Sequence, residues 1–596
     1  MRERDFKIRK LQIQRCIIAM SLVICMFVTA CSNGVQVNAE TSTQAQEEFD
    51  TYLDELFLSE VALNTVNLHY TLAYPENYGI TDYEVTLGDF SMESFEDGNK
   101  GLAVLERELR GFDKAQLTTE QQVTYDILMD YVRTEKSVSD LALYTEVLSP
   151  TTGYQAQLPV ILAEYTFRTT QDIEDYLELV GLIDDIFTDM VAFEQEKAAA
   201  GLFMPDYAAE AVIEQCEEFI EDPENNYMIE VFNDKIDAFD GLTDEEREAY
   251  KEQHRTLITT EVVDGYQTLI DGLTDLLGSG TNELGLCYYE DGERYYEYLV
   301  NCATGSDDSI EELEQRTADC MIECMENMWD ALDENPELYD QLYDYEFPES
   351  EPEAIIEDLM DRVSEDFPEL PEVDYTIKYV HPSMQEHLSP AFYLTTPIDD
   401  SSTQLIYINE KYLGDDATMD LYPTMAHEGY PGHMYQTVYT NESGLPLVRN
   451  LFSYSGYTEG WATYVEFYSY SVSGLDEDLA NVLVWDEITS LGLYAYIDMG
   501  VHYEGWDRED TAEYLSGFGI DDEEVVDEVF EIIVEEPANY LSYFIGYLEF
   551  MELRETAEKE LGDDFNAKEF HQFLLEMGPA PFYIIEDYMD DWMKEQ

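Results

Sequence analysis

After residue 47, apolar residues recur at three- and four-residue steps along nearly the whole chain, and this periodicity limits the fold more than any other sequence feature. The segment TTQDIEDYLELVGLIDDIFTDMVAFEQEKAAAG is typical, because acidic residues stand in its first turn and Gly201 follows as a helix stop. Ser309 and Glu312 form a capping box, and NAKEFHQFLLEMG opens at Asn566 and closes at Gly578. These signals predict a mainly α fold.

The clearest exception to helix is AFYLTTPIDDSSTQLIYIN, which predicts two short strands around a Pro/Asp/Ser turn. We therefore expect a small β hairpin or sheet beside a large two-lobed helical, metallopeptidase-like fold. The chain has 596 residues, enough for a helical N-terminal lobe over residues 48–280 and a catalytic lobe over residues 281–596. A single large domain with two lobes fits the sequence equally well.

The chain is strongly acidic, with 132 acidic residues against 29 basic ones and a formal net charge of -103. Such a surface repels phosphate backbones, which excludes nucleic acid as an expected partner. Five cysteines follow residue 31, an odd number spread over more than a hundred residues, so a disulfide framework is not predicted.

The N-terminal sequence predicts that the protein is exported from the cytoplasm. A basic stretch and then apolar residues 16–30 have the proportions of a signal peptide, and FVTAC resembles a bacterial lipoprotein signal that ends at Cys31. We expect residues 1–31 to carry this signal, Cys31 to carry the lipid, and residues 32–47 to form a polar tether. The membrane would then be contacted only through the lipid anchor; a secreted form without lipid is the alternative.

The stretch MAHEGYPGHMYQ contains His427 and Glu428, the first two letters of a zinc-peptidase signature. The second histidine should stand four residues after the first, but Pro431 occupies that position and His433 arrives two places late. On a regular helix, six residues turn a side chain about 120° away from the first face. Pro431 and Gly432 are residues that break helices, so we expect a kink that restores the effective spacing.

A zinc site needs a third protein ligand, and YTEGWATYVE supplies two glutamates on one helix face. We predict Glu459 as the ligand and Glu466 as the residue that orients a histidine; the reverse assignment is the alternative. Glu428 would be the general base that takes a proton from the activated water. For His427 and His433, the structural alternative is a pair of hydrogen-bonded histidines buried at a helix kink.

Four segments, AHEGYPGHMYQ, YTEGWATYVE, DMGVHYEGW and YFIGYLEFMELRETAEKELGDDFNAKEFHQFLLEMG, resemble the bacterial lipoprotein family catalogued as domain of unknown function 885. The resemblance runs over most of residues 50–590. That family is commonly placed near the gluzincin metallopeptidases, whose third ligand is a glutamate. The resemblance implies a largely helical fold with a central channel, and it carries over His427, Glu428, His433 and Glu459 as metal site and base.

Other residues could complete the site. Asp498 and His502 stand four apart, so the carboxylate could orient the imidazole to donate to an oxyanion; a helix-surface pair is the alternative. Tyr543 matches a family position and could stabilise the same charge, whereas aromatic packing is its structural interpretation. For His571, which lies among Phe570, Phe573 and Leu574, a core role is the safer interpretation.

The sequence therefore predicts a zinc metallopeptidase of the cell surface, with one zinc ion per chain and short peptides as substrates. The alternative from another class is a lipoprotein without catalytic activity that binds peptides or cations. A metal-dependent amidase that acts on other amides is a third hypothesis.

Overall fold

The computed structural model describes residues 42–342, 345–370, 373–382, 385, 388–400, 402–413 and 419–596, which divide into two units. The described part of the N-terminal unit contains residues 42–283 and 397–399, and the C-terminal unit contains residues 284–396 and 400–596. The predicted signal with Cys31, and residues 32–41 of the predicted tether, lie outside the described residues.

Helices are the only regular secondary structure among the described residues of the N-terminal unit, and loops join them. Its helices are α1 (Ser42–Val61), α2 (Thr65–Thr71), α3 (Met92–Leu109), α4 (Thr119–Ser137), α5 (Tyr154–Glu164), α6 (Thr170–Gly181), α7 (Ile183–Ala200), α8 (Asp206–Phe219), α9 (Tyr227–Ala238), α10 (Asp244–Leu257) and α11 (Val263–Leu276). The core of this unit combines aliphatic side chains with aromatic rings: Phe187 and Tyr266 pack edge to face with ring centroids 5.0 Å apart.

Two local predictions in this unit need correction. The segment predicted as one helix before Gly201 forms α6 and α7, which meet at Leu182, because the weak helix former Gly181 ends the first of them. Gly201 does stop α7 in the left-handed conformation. Residues 42–47, predicted as part of the tether, belong instead to α1, which begins at Ser42 and buries Phe49 against Phe112.

The C-terminal unit combines helices with one small sheet. Its helices are α12 (Gly292–Thr304), α13 (Ile310–Glu334), α14 (Leu338–Gln341), α15 (Pro352–Arg362), α16 (Leu421–Glu428), α17 (His433–Glu442), α18 (Ser455–Val472), α19 (Glu477–Met499), α20 (Arg508–Gly517), α21 (Glu523–Glu535), α22 (Asn539–Leu561), α23 (Ala567–Met577) and α24 (Phe582–Glu595). Within it, α18 packs along α22, and α13 packs along α19. The predicted capping box opens α13, and the predicted ends of α23 are also observed.

The sheet has the strand order β1–β3–β2, with β1 at Asp374–Tyr379, β2 at Ala391–Leu394 and β3 at Thr403–Ile408. The predicted hairpin is β2 and β3, which pair antiparallel so that Tyr393 lies opposite Ile406. Strand β1 pairs parallel to β3 and was missed, because DYTIKY is largely exposed and has no apolar run to mark it.

The prediction of a mainly α fold with a small sheet is confirmed. Among the described residues, no helix combines the length and apolar character that a membrane crossing requires.

Candidate metal centre

The helix that carries His427 and Glu428 ends where the sequence predicts a break. Helix α16 stops at Glu428 and α17 begins at His433. Residues 429–432 form a short connection between them, so the two histidine side chains are not turned about 120° apart as they would be on one regular helix. A Cβ atom at position 432 would lie 1.8 Å from the carbonyl oxygen of His427, so only glycine fits there. From α18, the indole N–H of Trp461 donates to the carbonyl of Pro431 at 2.9 Å and holds the connection in place.

The break brings both imidazoles to one carboxylate. Oxygen Oε2 of Glu459, on α18, lies 3.3 Å from Nε2 of His433 and 3.7 Å from Nε2 of His427. The two imidazole rings are nearly perpendicular, with centroids 4.8 Å apart. One ligand atom from each of the three residues fits within a cluster 4.8 Å across.

This donor set fits a zinc ion. Zinc binds imidazole nitrogen and carboxylate oxygen at about 2.0–2.2 Å, so neighbouring ligands of a tetrahedral site lie roughly 3.3 Å apart. Oε2 of Glu459 is buried and accepts no hydrogen bond from the part of the chain that the structure describes, which is costly for a carboxylate oxygen unless a cation compensates it. Two nitrogens and one oxygen leave a fourth position for water, as a catalytic site requires.

Glu466 contacts the remaining nitrogen of His427. Its Oε2 lies 2.9 Å from Nδ1 of His427, so Nδ1–H donates to the carboxylate and Nε2 keeps its lone pair toward Glu459. This is the contact that the sequence interpretation assigned to Glu466, and Glu459 faces the Nε2 atoms of both histidines.

Negative charge dominates this cluster. Burial lowers the pKa of His427, but the neighbouring carboxylates of Glu459 and Glu466 outweigh burial and raise the pKa well above its ordinary value. Burial raises the pKa of Glu459, yet the two imidazoles outweigh it and lower the pKa to about 2. The surroundings therefore stabilise positive charge between the two histidines.

Glu428 lies beside the cluster and is held by the sheet. Its Oε2 accepts the backbone N–H of Tyr393 at 2.9 Å, so the strand β2 orients the carboxylate. Burial raises the pKa of Glu428, Glu459 adds to this effect, and the imidazoles of His427 and His433 oppose it. A buried carboxylate with a raised pKa is suited to accept a proton.

Tyr543, on α22, lies within electrostatic range of the cluster. Its hydroxyl is buried and has no hydrogen-bond partner among the described residues, and after burial the carboxylates of Glu459 and Glu428 are the largest causes that raise its pKa. Helices α18 and α22 touch through their backbones: a Cβ at Gly460 would lie 2.4 Å from the carbonyl carbon of Gly546. This close approach carries Tyr543 toward Glu459, so its protonated hydroxyl is suited to donate near the cluster.

Asp498 and His502 do not form the expected pair. The ring of His502 receives the N–H of Leu286 at Nδ1 (3.1 Å) and donates from Nε2 to the carbonyl of Ile533 (2.8 Å). Asp498 instead accepts from the Tyr296 hydroxyl and from the N–H of Ala538. Both nitrogens of His502 are engaged by backbone, so the predicted donation to an oxyanion is not supported.

His571 is a core histidine, in line with the safer sequence interpretation. Its Nδ1–H donates to the carbonyl of Asp366 at 2.7 Å, and its Nε2 accepts from the hydroxyl of Tyr464 at 2.8 Å. The ring stacks on Phe367 with centroids 4.1 Å apart.

Three contributors to the site were missed from the sequence: the Tyr393 N–H, the Trp461 indole and the Gly460–Gly546 contact. The strand with Tyr393 and the segment with Trp461 were both recognised. However, no local pattern indicates that a backbone N–H binds Glu428 or that an indole binds Pro431.

The fold of this chain is similar to that of two solved structures. It superposes on the putative lipoprotein from Colwellia psychrerythraea with a TM-score of 0.77 and 18% identity, over 99% of each chain. A putative lipoprotein of unknown function from Shewanella oneidensis gives a TM-score of 0.63 and 15% identity, over 92% of this chain and all of the other. These similarities show the fold.

No curated protein matches the chain. The family model described as "Bacterial protein of unknown function (DUF885)" matches residues 75–589, so the chain belongs to the DUF885 family.

Proposed function

We propose that this protein is a zinc-dependent peptidase that hydrolyses short peptides. The observation that carries the proposal is the meeting of His427, His433 and Glu459 around the buried Oε2 of Glu459, with the carboxylate of Glu428 beside them. Glu466 supports the same proposal, because it fixes the His427 ring with Nε2 turned toward the cluster. A glutamate as third ligand makes the donor set gluzincin-like.

His427, His433 and Glu459 would hold the zinc ion, which polarises a scissile carbonyl and lowers the pKa of water when bound. Glu428 then accepts the proton of the attacking water. Because Oε2 of Glu428 is held by the Tyr393 N–H, we expect the proton at Oε1. The same carboxyl group returns the proton to the leaving amine.

Tyr543 would donate from its hydroxyl to the oxyanion that develops on the substrate carbonyl. Its raised pKa keeps the hydroxyl protonated at neutral pH, and the hydroxyl has no competing partner among the described residues. His502 has no part in this step, since both its nitrogens bind backbone.

The test is the metal content of the mature protein purified without added metal, beside His433→Ala and the matched control His502→Gln. We expect about one zinc per chain in the wild type and in the control, and none in His433→Ala. If no metal is bound, and none is taken up on titration with zinc, the site is a helix kink and the alternative of a binding lipoprotein replaces the peptidase.

The reaction class is tested with a panel of short peptides and non-peptide amides. We expect zinc-dependent release of an amine from peptides, abolished in His433→Ala. Hydrolysis of the non-peptide amides alone would replace the peptidase with an amidase.

We also propose that the protein is lipid-anchored outside the cytoplasm through Cys31. The lipoprotein-like signal in residues 1–31 supports this, as do the names of the two structural relatives. Cys31→Ser should move the protein from the membrane fraction to the soluble fraction. If the variant stays with the membrane, Cys31 is not the anchor.

A further inference from the structure

Residues 533–538, which are the last turn of α21 and the connection to α22, form a segment that is tied at both ends by Asp498 in α19 and His502 just after it. At its start, the carbonyl of Ile533 accepts from Nε2 of His502. At its end, the N–H of Ala538 donates to both carboxylate oxygens of Asp498, at 3.1 and 3.0 Å. Asp498 and His502 stand four residues apart, so one face of the helix around Met499 holds the whole connection.

Ala538 has an unusual backbone conformation. Its φ of 66° makes it the single non-glycine residue with positive φ in the described part of the chain. The left-handed region is costly for a residue with a Cβ atom, and such conformations persist only where surrounding contacts enforce them. Here the enforcing contact is Asp498, because its carboxylate takes the only backbone donor that Ala538 has.

Asp498 is well suited to that task. Its side chain is fully buried, and it also accepts a hydrogen bond from the hydroxyl of Tyr296, on α12. Tyr296 itself stacks on the ring of His502. The hydrogen bond from Tyr296 therefore fixes the carboxylate from α12 and opposes its following Ala538 if the connection moves.

Helix α22 starts directly after this corner and carries Tyr543. Five residues separate Ala538 from Tyr543, roughly 7.5 Å along a helix. Beyond Tyr543, Gly546 sits against the backbone of Gly456 and Gly460 on α18. Tyr543 thus lies between two points where the backbone of α22 and its preceding residue is fixed. One is the hydrogen bond from Ala538 to Asp498, and the other is the contact of Gly546 with α18, the helix that carries Glu459.

We propose that Asp498 is a positioning residue, which sets the location of the Tyr543 hydroxyl by holding Ala538 in its left-handed conformation. The catalytic meaning of that location rests on the proposed function, but the positioning itself does not. Asp498 acts at a distance through α22 and does not contact the metal ligands.

The positioning is tested without substrate by fluorine NMR of the protein with 3-fluorotyrosine at position 543. We expect Asp498→Ala to shift or split the resonance, since Ala538 loses its acceptor. Asp498→Asn keeps one acceptor oxygen and should cause a smaller shift in the same direction, which preserves the test where the alanine variant fails to fold.

The matched control is Arg316→Gln. Arg316 forms ion pairs with Glu549 and Glu552 in the second half of α22, so the variant loosens the same helix far from the corner. We expect the resonance of residue 543 to stay in place in this control. If the Asp498 variants move it no more than Arg316→Gln does, Asp498 is a general structural residue and the proposal is wrong.

Kinetics on a peptide substrate then separate this proposal from the proposed function. A displacement of about 1 Å can cost about 10²-fold in rate, so we expect Asp498→Ala to lower kcat by that order, with zinc content unchanged. In a Tyr543→Phe background the same change should cost less than about twofold, because residues that act through one group are not additive.

Equal losses in both backgrounds would overturn the positioning role while leaving the peptidase in place. A shifted fluorine resonance in a protein without peptidase activity would instead retain the positioning and overturn the proposed function.

Discussion

His427, which is largely buried, and His502, which is fully buried, both belong to the C-terminal unit and were predicted to serve the same reaction, but their partners differ. The ring of His427 lies between two carboxylates, with Nδ1 on Glu466 and Nε2 facing Glu459. The ring of His502 lies between backbone groups of Leu286 and Ile533. Nε2 of His427 can therefore bind a cation together with the carboxylate of Glu459. Both nitrogens of His502 are occupied by backbone groups and serve to stabilise the fold.

The pKa values follow the same division. Despite burial, the carboxylates raise the pKa of His427 well above its ordinary value. Burial lowers the pKa of His502 to about 4, with no carboxylate to oppose it. The region around His427 is therefore built for positive charge, and the region around His502 for a neutral ring.

The largest expected difference between the two regions is catalytic. Glu428→Gln should lower kcat on peptides by about 10²–10⁴-fold, because the general base is lost, and should leave the zinc content unchanged. His502→Gln should lower kcat far less, because its ring contacts backbone and not the cluster. Full hydrolytic activity in Glu428→Gln would contradict the role of this residue.

Removal of the metal should lower the stability of the wild type but not that of His433→Ala, which lacks one of the proposed ligands. At free zinc about 10²–10³ times the Kd, binding stabilises the folded state by about 3–4 kcal/mol, so a chelator should lower the Tm. In His433→Ala the chelator should change nothing. An equal Tm shift in both proteins would mean that the stabilising metal binds elsewhere.

Lowering the pH should reduce the free energy of unfolding through protonation of His502. Its folded pKa of about 4 lies below the ordinary value of 6.5, so the unfolded state binds the proton more readily between these two values. The stability that neutral His502 contributes is therefore complete above pH 6.5 and lost as the pH falls to 4, by about 3 kcal/mol.

Urea unfolding of the wild type and His502→Gln, with chelator present, measures this effect. The difference in unfolding free energy between the two proteins should shrink as the pH falls. A difference that stays constant from pH 7 to pH 4 would mean that His502 is not buried in its neutral form.

The smallest effect should come from Glu466. Glu466→Gln keeps the side-chain shape but weakens the hydrogen bond to Nδ1 of His427, and loss of such a partner typically costs about 10–100-fold in metal affinity. Zinc titration against a competing chelator measures this loss. The same affinity in Glu466→Gln and the wild type would show that Glu466 does not tune the ligand.

Much of the fold could be predicted from the sequence because its signals are local. The apolar periodicity predicted helices, and the Pro/Asp/Ser turn predicted the hairpin of β2 and β3. The apolar periodicity failed to predict the helix break at Leu182, because the period continues through it. Neither the periodicity nor the turn residues indicated the largely exposed strand β1. Period and turn chemistry describe neighbours along the chain, and they do not describe which strands pair across it.

The candidate site divides in the same way. The sequence by itself determined the donor types, the break at residues 429–432 and the helix that returns with Glu459 and Glu466, since Pro431, Gly432 and residue spacing act over short distances. Only the tertiary structure decided that the N–H of Tyr393 binds Glu428, and that Asp498 binds the N–H of Ala538 and not the imidazole of His502. These contacts join residues 35 and 40 positions apart, and the Leu286–His502 contact joins residues 216 apart. An i, i+4 spacing shows that two side chains can meet, but the partner that each one takes depends on which buried donors and acceptors the packing brings within reach.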